Sequence, residues 1–197
     1  MSTVEKIFAS ARVEGRAALV GYLPAGYPTV DGSVEMLSAM VEGGCDLLEV
    51  GVPYSDPVMD GPTIQAAADT ALRGGVRLRD VFGVVERVAA AGGRAVVMTY
   101  FNPVLRYGVD AFARDLAAAG GLGMITPDLI PDEADEWIAA VEAIRSSVDD
   151  GATRKTRSRP CAVEAASHSS ASSGMRSGVI MPRPPAAARS RANASTP

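Results

Sequence analysis

The sequence predicts an α/β protein in which parallel strands alternate with amphipathic helices, and three observations predict it. Short apolar runs without strict polar alternation recur along the chain, as strands covered on both faces require. Between them lie stretches with apolar residues at helical spacing, most of them closed by a glycine pair. All ten aromatic residues fall within the first 145 of the 197 residues, so a core can form there and nowhere else.

The elements follow in order. AALVGYL (17–23) is an apolar run ended by Pro24, and after Asp31, read as the N-cap, Val34, Leu37 and Val41 form one stripe that stops at Gly43 and Gly44. DLLEV (46–50) precedes a helix through GPTIQAAADTALRGG and a further one at LRDVFGVVERVAAAGG. AVVMTY (95–100) leads into VDAFARDLAAAGG, and GLGMIT (121–126) leads into PDEADEWIAAVEAI. These make about four βα units, and both a doubly wound sheet and a barrel fit that count. A dinucleotide-binding doubly wound sheet carries GxGxxG after its first strand, where this chain reads LPAGYPTVDG, and no Walker P-loop is present. Gly120, Gly121 and Gly123 lie between a helix and the next strand and read as a helix C-cap rather than a phosphate cradle.

Charge divides the chain in two. Residues 1–145 hold 11 Lys plus Arg against 20 Asp plus Glu, whereas residues 146–197 hold 8 against 3. The second segment has eleven Ser, ten Ala and five Pro, with no Leu and no aromatic. Such a segment cannot bury enough area to offset the entropy of ordering it, so 146–197 is expected to be a disordered tail behind a folded 1–145. Arg154, Lys155, Arg157 and Arg159 are not interleaved with aromatics and read as solvated charge rather than a nucleic-acid contact. The opening MSTVEKIFASARVEG lacks the apolar core of a signal peptide, and no run approaches the ~18 apolar residues of a membrane span. A cytoplasmic protein without membrane contact is expected. Cys45 and Cys161 fall in different segments, which argues against a structural disulfide and excludes a CxxC metal pair. His168, the single histidine, sits among serines in the tail and is not expected to act as a base.

The residues that carry chemistry concentrate in LLEVGVPYSDPVMDGPTIQ (47–65). Alternation puts Glu49 on one strand face with Leu47, while Leu48 and Val50 point toward the covering helices. Inside a barrel, Glu49 would project near the carboxyl end of its strand, where barrel enzymes hold their catalytic groups. An apolar wall would raise its pKa and suit it to proton transfer; a glutamate merely paired with a basic neighbour fits the same pattern equally well. Asp60 lies in a loop restricted by Pro53, Pro57, Gly61 and Pro62, which can present a side chain at a fixed place. On position alone it reads better as the N-cap of a helix beginning near Pro62.

LLEVGVPYSDPVMDGPTIQAA resembles the signature segment of the tryptophan synthase alpha family, and GYLPAGYP, MTYFNPVLRYG and ITPDLIPDEA resemble its first, third and fourth strand regions in the same order. The resemblance implies a partial (β/α)8 barrel and retro-aldol cleavage of indole-3-glycerol phosphate to indole and glyceraldehyde 3-phosphate. It also implies a pyridoxal-phosphate beta subunit as partner in an alpha2-beta2 complex, with no cofactor on the alpha chain itself. By the same resemblance Glu49 is the general acid/base, Asp60 accepts the indole N–H, and Tyr22 and Tyr100 wall the indole pocket. Alternation puts Tyr22 with Val20 and Tyr100 with Met98 on inward faces. The loop of Tyr54, Ser55, Asp56 and Pro57 resembles the one that closes over substrate and touches the beta subunit.

The resemblance fades near Trp137 to Ala140, after which the sequence runs SSVDDGATRKTRSRP and no later segment has the periodicity of a strand or helix. The change resembles the product of a reading-frame shift. Counterparts of the family's late-strand phosphate site and of its closing loop after the sixth strand are missing. A half barrel is expected to leave its first and fourth strands as open edges and its apolar inner face uncovered, giving a marginal or associating molecule with impaired lyase activity. The alternative function is a non-catalytic fragment that at most docks the beta subunit through its proline-rich loop. The phosphate-binding isomerase barrels do not account for PYSDPVMDGPTIQ.

Overall fold

A computed structural model describes residues 3–151 and 164–166. Helix α1 (Thr3–Val13) precedes β1 (Val20–Pro24), α2 (Val30–Glu42) and β2 (Leu47–Gly51). Two helices, α3 (Pro62–Arg73) and α4 (Leu78–Ala90), lead to β3 (Ala95–Met98). Then come α5 (Phe101–Tyr107), α6 (Val109–Ala118), β4 (Gly123–Ile125), a 3-10 turn (Pro131–Glu133), α7 (Asp135–Gly151) and β5 (Glu164–Ala166). The strands are parallel and their order in space is their order in sequence, β1-β2-β3-β4-β5. A doubly wound sheet reverses direction at a switch point, whereas a barrel adds each strand beside the last. Consecutive order therefore decides between the two architectures in favour of part of a (β/α)8 barrel.

Strand alternation divides the apolar residues between two cores. Leu48, Val50, Val97 and Met124 face the helices and pack with Leu37 of α2, Val81 and Val85 of α4, Phe112 and Leu116 of α6 and Trp137 of α7. Leu47 and Val96, on the opposite face, pack with Leu122 and with Ile7 of α1, and Val4, Phe8, Val20 and Ile125 border them. The sequence reading missed α1, which lies beneath the inner face. The expectation of an uncovered inner face is thereby corrected for its lower part, where burying Ile7 contributes roughly 1.5 to 3 kcal/mol, while Tyr22, Glu49 and Met98 above stay half-buried.

Three further boundaries differ from expectation. Thr29, not Asp31, is the N-cap of α2, its hydroxyl accepting from the Gly32 amide at 3.0 Å; Asp31 sits in the first turn, two residues on, and pairs with Arg87 at 2.6 Å. The fourth strand is not an edge, because Gly123, Met124 and Ile125 pair with Glu164, Ala165 and Ala166. Helix α7 also continues to Gly151, past the expected boundary at 145. The rest of the tail, with Arg154, Lys155, Arg157, Arg159, Cys161 and His168, lies outside the described residues. Gly120 has φ +80°, and the amides of Gly120 and Gly121 bond to the carbonyls of Ala117 and Leu116, as a helix terminus requires.

The start of β1 is tied to β2. Arg16 donates to both carboxylate oxygens of Asp46 at 2.6 and 2.8 Å, and Asp46 also accepts the Leu19 amide at 2.8 Å. The Arg16 hydrogen bonds, with help from Leu19, hold the Asp46 carboxyl at about 2, below the ordinary carboxylate range.

Candidate active site

The carboxyl end of β2 organises the site. Leu48 and Val50 are fully buried under the helices, so Leu47, Glu49 and Gly51 must face inward, and Glu49 is half-buried. The register of β1 on β2 places Tyr22 directly opposite Glu49. Gly51 lies two residues on, and a Cβ there would stand 2.8 Å from the Cζ of Tyr22. Absence of that carbon lets the Tyr22 ring lie across the end of β2, beside the glutamate.

Asp60 reaches the same place from the loop after β2. Its carbonyl accepts from Gln65 Nε2 at 2.8 Å, and Gly61, not Asp60, is the N-cap of α3, with Pro62 as the first helical residue. No side chain caps this helix, so the N-cap reading of Asp60 does not hold. Asp60 is half-buried, and burial raises its carboxyl above the ordinary range. The Tyr22 phenol is raised too, first by burial and then by the negative fields of Asp60 and Glu49, with a smaller contribution from Tyr100. Tyr22, opposite Glu49 on the paired strands, thus lies within the electrostatic reach of Asp60 and Tyr100 as well.

Tyr100 enters this group from just beyond β3, as the N-cap of α5. Its ring packs on Tyr54 with centroids 4.8 Å apart at 35°. Its hydroxyl oxygen accepts the amides of Val58 and Met59 at 2.9 and 3.2 Å. The loop from Tyr54 to Asp60 is therefore strapped to the end of β3, while Val58 and Met59 turn their apolar side chains outward, 85% and 59% exposed. Ser55 bonds its neighbour Asp56 at 2.6 Å.

Sequence reasoning missed Gly51, Thr99, Thr126 and Asp128. Thr99 and Thr126 are buried at the ends of β3 and β4. Asp128 accepts the Thr126 hydroxyl at 2.7 Å and the Phe101 amide at 2.9 Å, fixing the first turn of α5. A polar residue immediately past a strand end, Thr99 after β3 and Thr126 after β4, was the available signal. Among the described residues, no group of three His, Cys, Asp or Glu could hold a metal ion. Two half-buried carboxylates and two tyrosines on the carboxyl edge of parallel strands can give and take protons there.

Comparison with known proteins places the chain beside one family. The sequence model of the tryptophan synthase alpha chain family matches residues 8–147. That match continues past Trp137 to Ala140, where the motifs thin out; the fully buried Trp137, with Ala140 and Val141, faces the core and keeps the helical pattern recognisable. The tryptophan synthase alpha chain of Nocardia farcinica is 71% identical over 139 residues, covering 71% of this chain and 52% of the relative. A tryptophan synthase structure from Mycobacterium tuberculosis superposes with TM-score 0.70 at 68% identity, covering 72% of this chain and 55% of that one. The alpha subunit of Legionella pneumophila superposes with TM-score 0.68 at 32% identity, covering 73% and 55%. The chain thus spans about half the length of the relatives it matches. On the family match, with the barrel-type strand order behind it, this chain belongs to the tryptophan synthase alpha chain family.

Proposed function

We propose that the chain carries the proton-transfer half of a lyase site that cleaves indole-3-glycerol phosphate to indole and glyceraldehyde 3-phosphate. The observation that supports this most is the convergence of Glu49, Asp60, Tyr22 and Tyr100 at the carboxyl end of β1 to β3. Glu49 delivers a proton to indole C3, placing positive charge on the ring nitrogen, and the Asp60 carboxylate stabilises that charge through the N–H. The Glu49 carboxylate so formed then takes the proton of the glycerol hydroxyl, the carbon–carbon bond breaks, and its electron pair returns to the ring. An aldehyde forms on the departing fragment and indole regains its aromaticity. Tyr22 and Tyr100 supply the flat walls of the pocket.

Two further elements belong to the proposal. The exposed Val58 and Met59, on the proline-rich loop beside Asp60, suit a partner surface, and the partner proposed is a tryptophan synthase beta subunit in an alpha2-beta2 assembly. A cytoplasmic setting fits the free thiol of Cys45. No helix among the described residues is long and apolar enough to cross a membrane.

The test is indole formation from indole-3-glycerol phosphate by the 197-residue chain, with and without a beta subunit, beside a full-length alpha chain. The 197-residue chain should fall more than about tenfold below the full-length protein, because binding energy from the remote phosphate lowers the barrier as well as the KM. Activity within tenfold would contradict this division of the site.

A further inference from the structure

The loop that bears Asp60 is held at three points. At its start the Val52 amide donates to the Met98 carbonyl at 2.8 Å, and at its end the Asp60 carbonyl accepts from Gln65. Between them the amides of Val58 and Met59 converge on the Tyr100 hydroxyl oxygen. Two donors occupy both lone pairs of that oxygen, so a single side chain fixes the two peptide units immediately before Asp60. One residue of chain then separates the fixed point from the carboxylate, about 3.8 Å of backbone.

Tyr100 is itself held from the far side. Its carbonyl accepts the hydroxyl of buried Thr99 at 2.9 Å, and the Thr99 amide donates to Ile125 at 3.0 Å. The next amide, Phe101 N–H, donates to Asp128 Oδ1, and the hydroxyl of buried Thr126 donates to the same oxygen. A continuous chain of hydrogen bonds and backbone thus runs from the end of β4 through Asp128, Tyr100 and Val58 to Met59 and Asp60.

We propose that Tyr100 and Asp128 are positioning residues for the Asp60 carboxylate: Tyr100 clamps the loop backbone, and Asp128 sets the place of Tyr100 through the first turn of α5. The inference rests on the reading of Asp60 as a group that meets the substrate, and it gives Tyr100 a second duty beyond walling the pocket. A loop rich in proline but exposed at Ser55, Asp56, Val58 and Met59 would otherwise leave its last residue free to wander, and an acceptor misplaced by about 1 Å loses most of its effect on a developing charge.

The experiment follows amide hydrogen exchange at Val58 and Met59 and the titration of the Asp60 carboxyl by NMR, in the full 197-residue chain and in Tyr100→Phe, Asp128→Ala and Asp128→Asn. Removing the phenolic oxygen should speed exchange of both amides about tenfold relative to the amides of β1 to β3, the scale of one lost hydrogen bond. It should also lower the Asp60 midpoint toward that of a solvated carboxyl, because a released loop hydrates it. Asp128→Ala should reproduce both changes, whereas Asp128→Asn, which keeps an oxygen able to accept from Phe101 and Thr126, should restore the wild-type values. The strand amides serve as the reference for global stability, which a purely structural role would change together with the loop. Unchanged Val58 and Met59 exchange in Tyr100→Phe would overturn the clamp, as would faster exchange with an unmoved Asp60 midpoint. An Asp128→Asn variant that behaves like Asp128→Ala would remove Asp128 from the chain of contacts. None of these readouts requires turnover, so failure of the clamp and failure of the lyase reading are separate results.

Discussion

Tyr22 stands opposite Glu49 in the pairing of β1 and β2, and its ring crosses Gly51, the next inward residue of β2. A methyl group at 51 would meet that ring at contact distances no packed side chain adopts. Gly51→Ala should therefore destabilise the protein by about 1 to 3 kcal/mol, the usual cost of overpacking. The cost should shrink when combined with Tyr22→Phe, which removes the nearest atom. Denaturant titrations in a double-mutant cycle read this; strict additivity of the two changes would mean that Tyr22 does not lie over Gly51.

The Asp60 carboxyl is raised by burial, and the sign of its effect on stability follows. A group whose folded pKa exceeds its unfolded value contributes stability that is complete below about pH 4 and is lost as pH rises through the folded value. Asparagine imitates the protonated carboxyl, so Asp60→Asn should be more stable than wild type near pH 7 and no more stable below about pH 4. Thermal unfolding across that range tests it. A variant less stable at neutrality would show that the carboxylate is favoured by a partner rather than strained by desolvation.

Helix α1 closes the lower inner face by inserting Ile7 against Leu47, Val96 and Leu122. Ile7→Ala should cost about 2 to 5 kcal/mol, whereas Val13→Ala, at a position 88% exposed, should stay within about 0.5 kcal/mol. Equal, small effects would mean that α1 does not seal the sheet.

Much of this architecture could be read from local pattern. The unalternated runs at 46–50 and 95–100 mark their strands to within a residue or two, and period-two alternation alone separates Leu48 and Val50 from Leu47 and Glu49. Glycine pairs marked the helix ends at Gly43, Gly74 and Gly120. What escaped depends on distant partners. Helix α1 is three turns with Val4, Ile7, Phe8 and Ala11 on one side, and only the inner face of a sheet built later in the chain gives that stripe a purpose. Thr29 and Asp31 are both cap-forming types two residues apart, and local chemistry does not choose between them. The Tyr100 clamp spans 42 residues to Val58, and Asp128 acts across 27 to Phe101, separations at which single-sequence periodicity carries no signal. For Glu49 the pattern gave the face, while its proposed chemical role came from the motif around it.

The central claim is that Glu49 transfers the proton in carbon–carbon cleavage. The direct measurement joins residues 1–144 to the remaining length of the Mycobacterium tuberculosis relative and compares indole release with Glu or Gln at position 49, alongside substrate affinity. Glutamine keeps the shape and loses the transferable proton, so kcat should fall by about a hundredfold or more while binding changes little. A Glu49→Gln protein that retains more than about a tenth of the rate would contradict the account, since a general acid/base contributes at least a hundredfold.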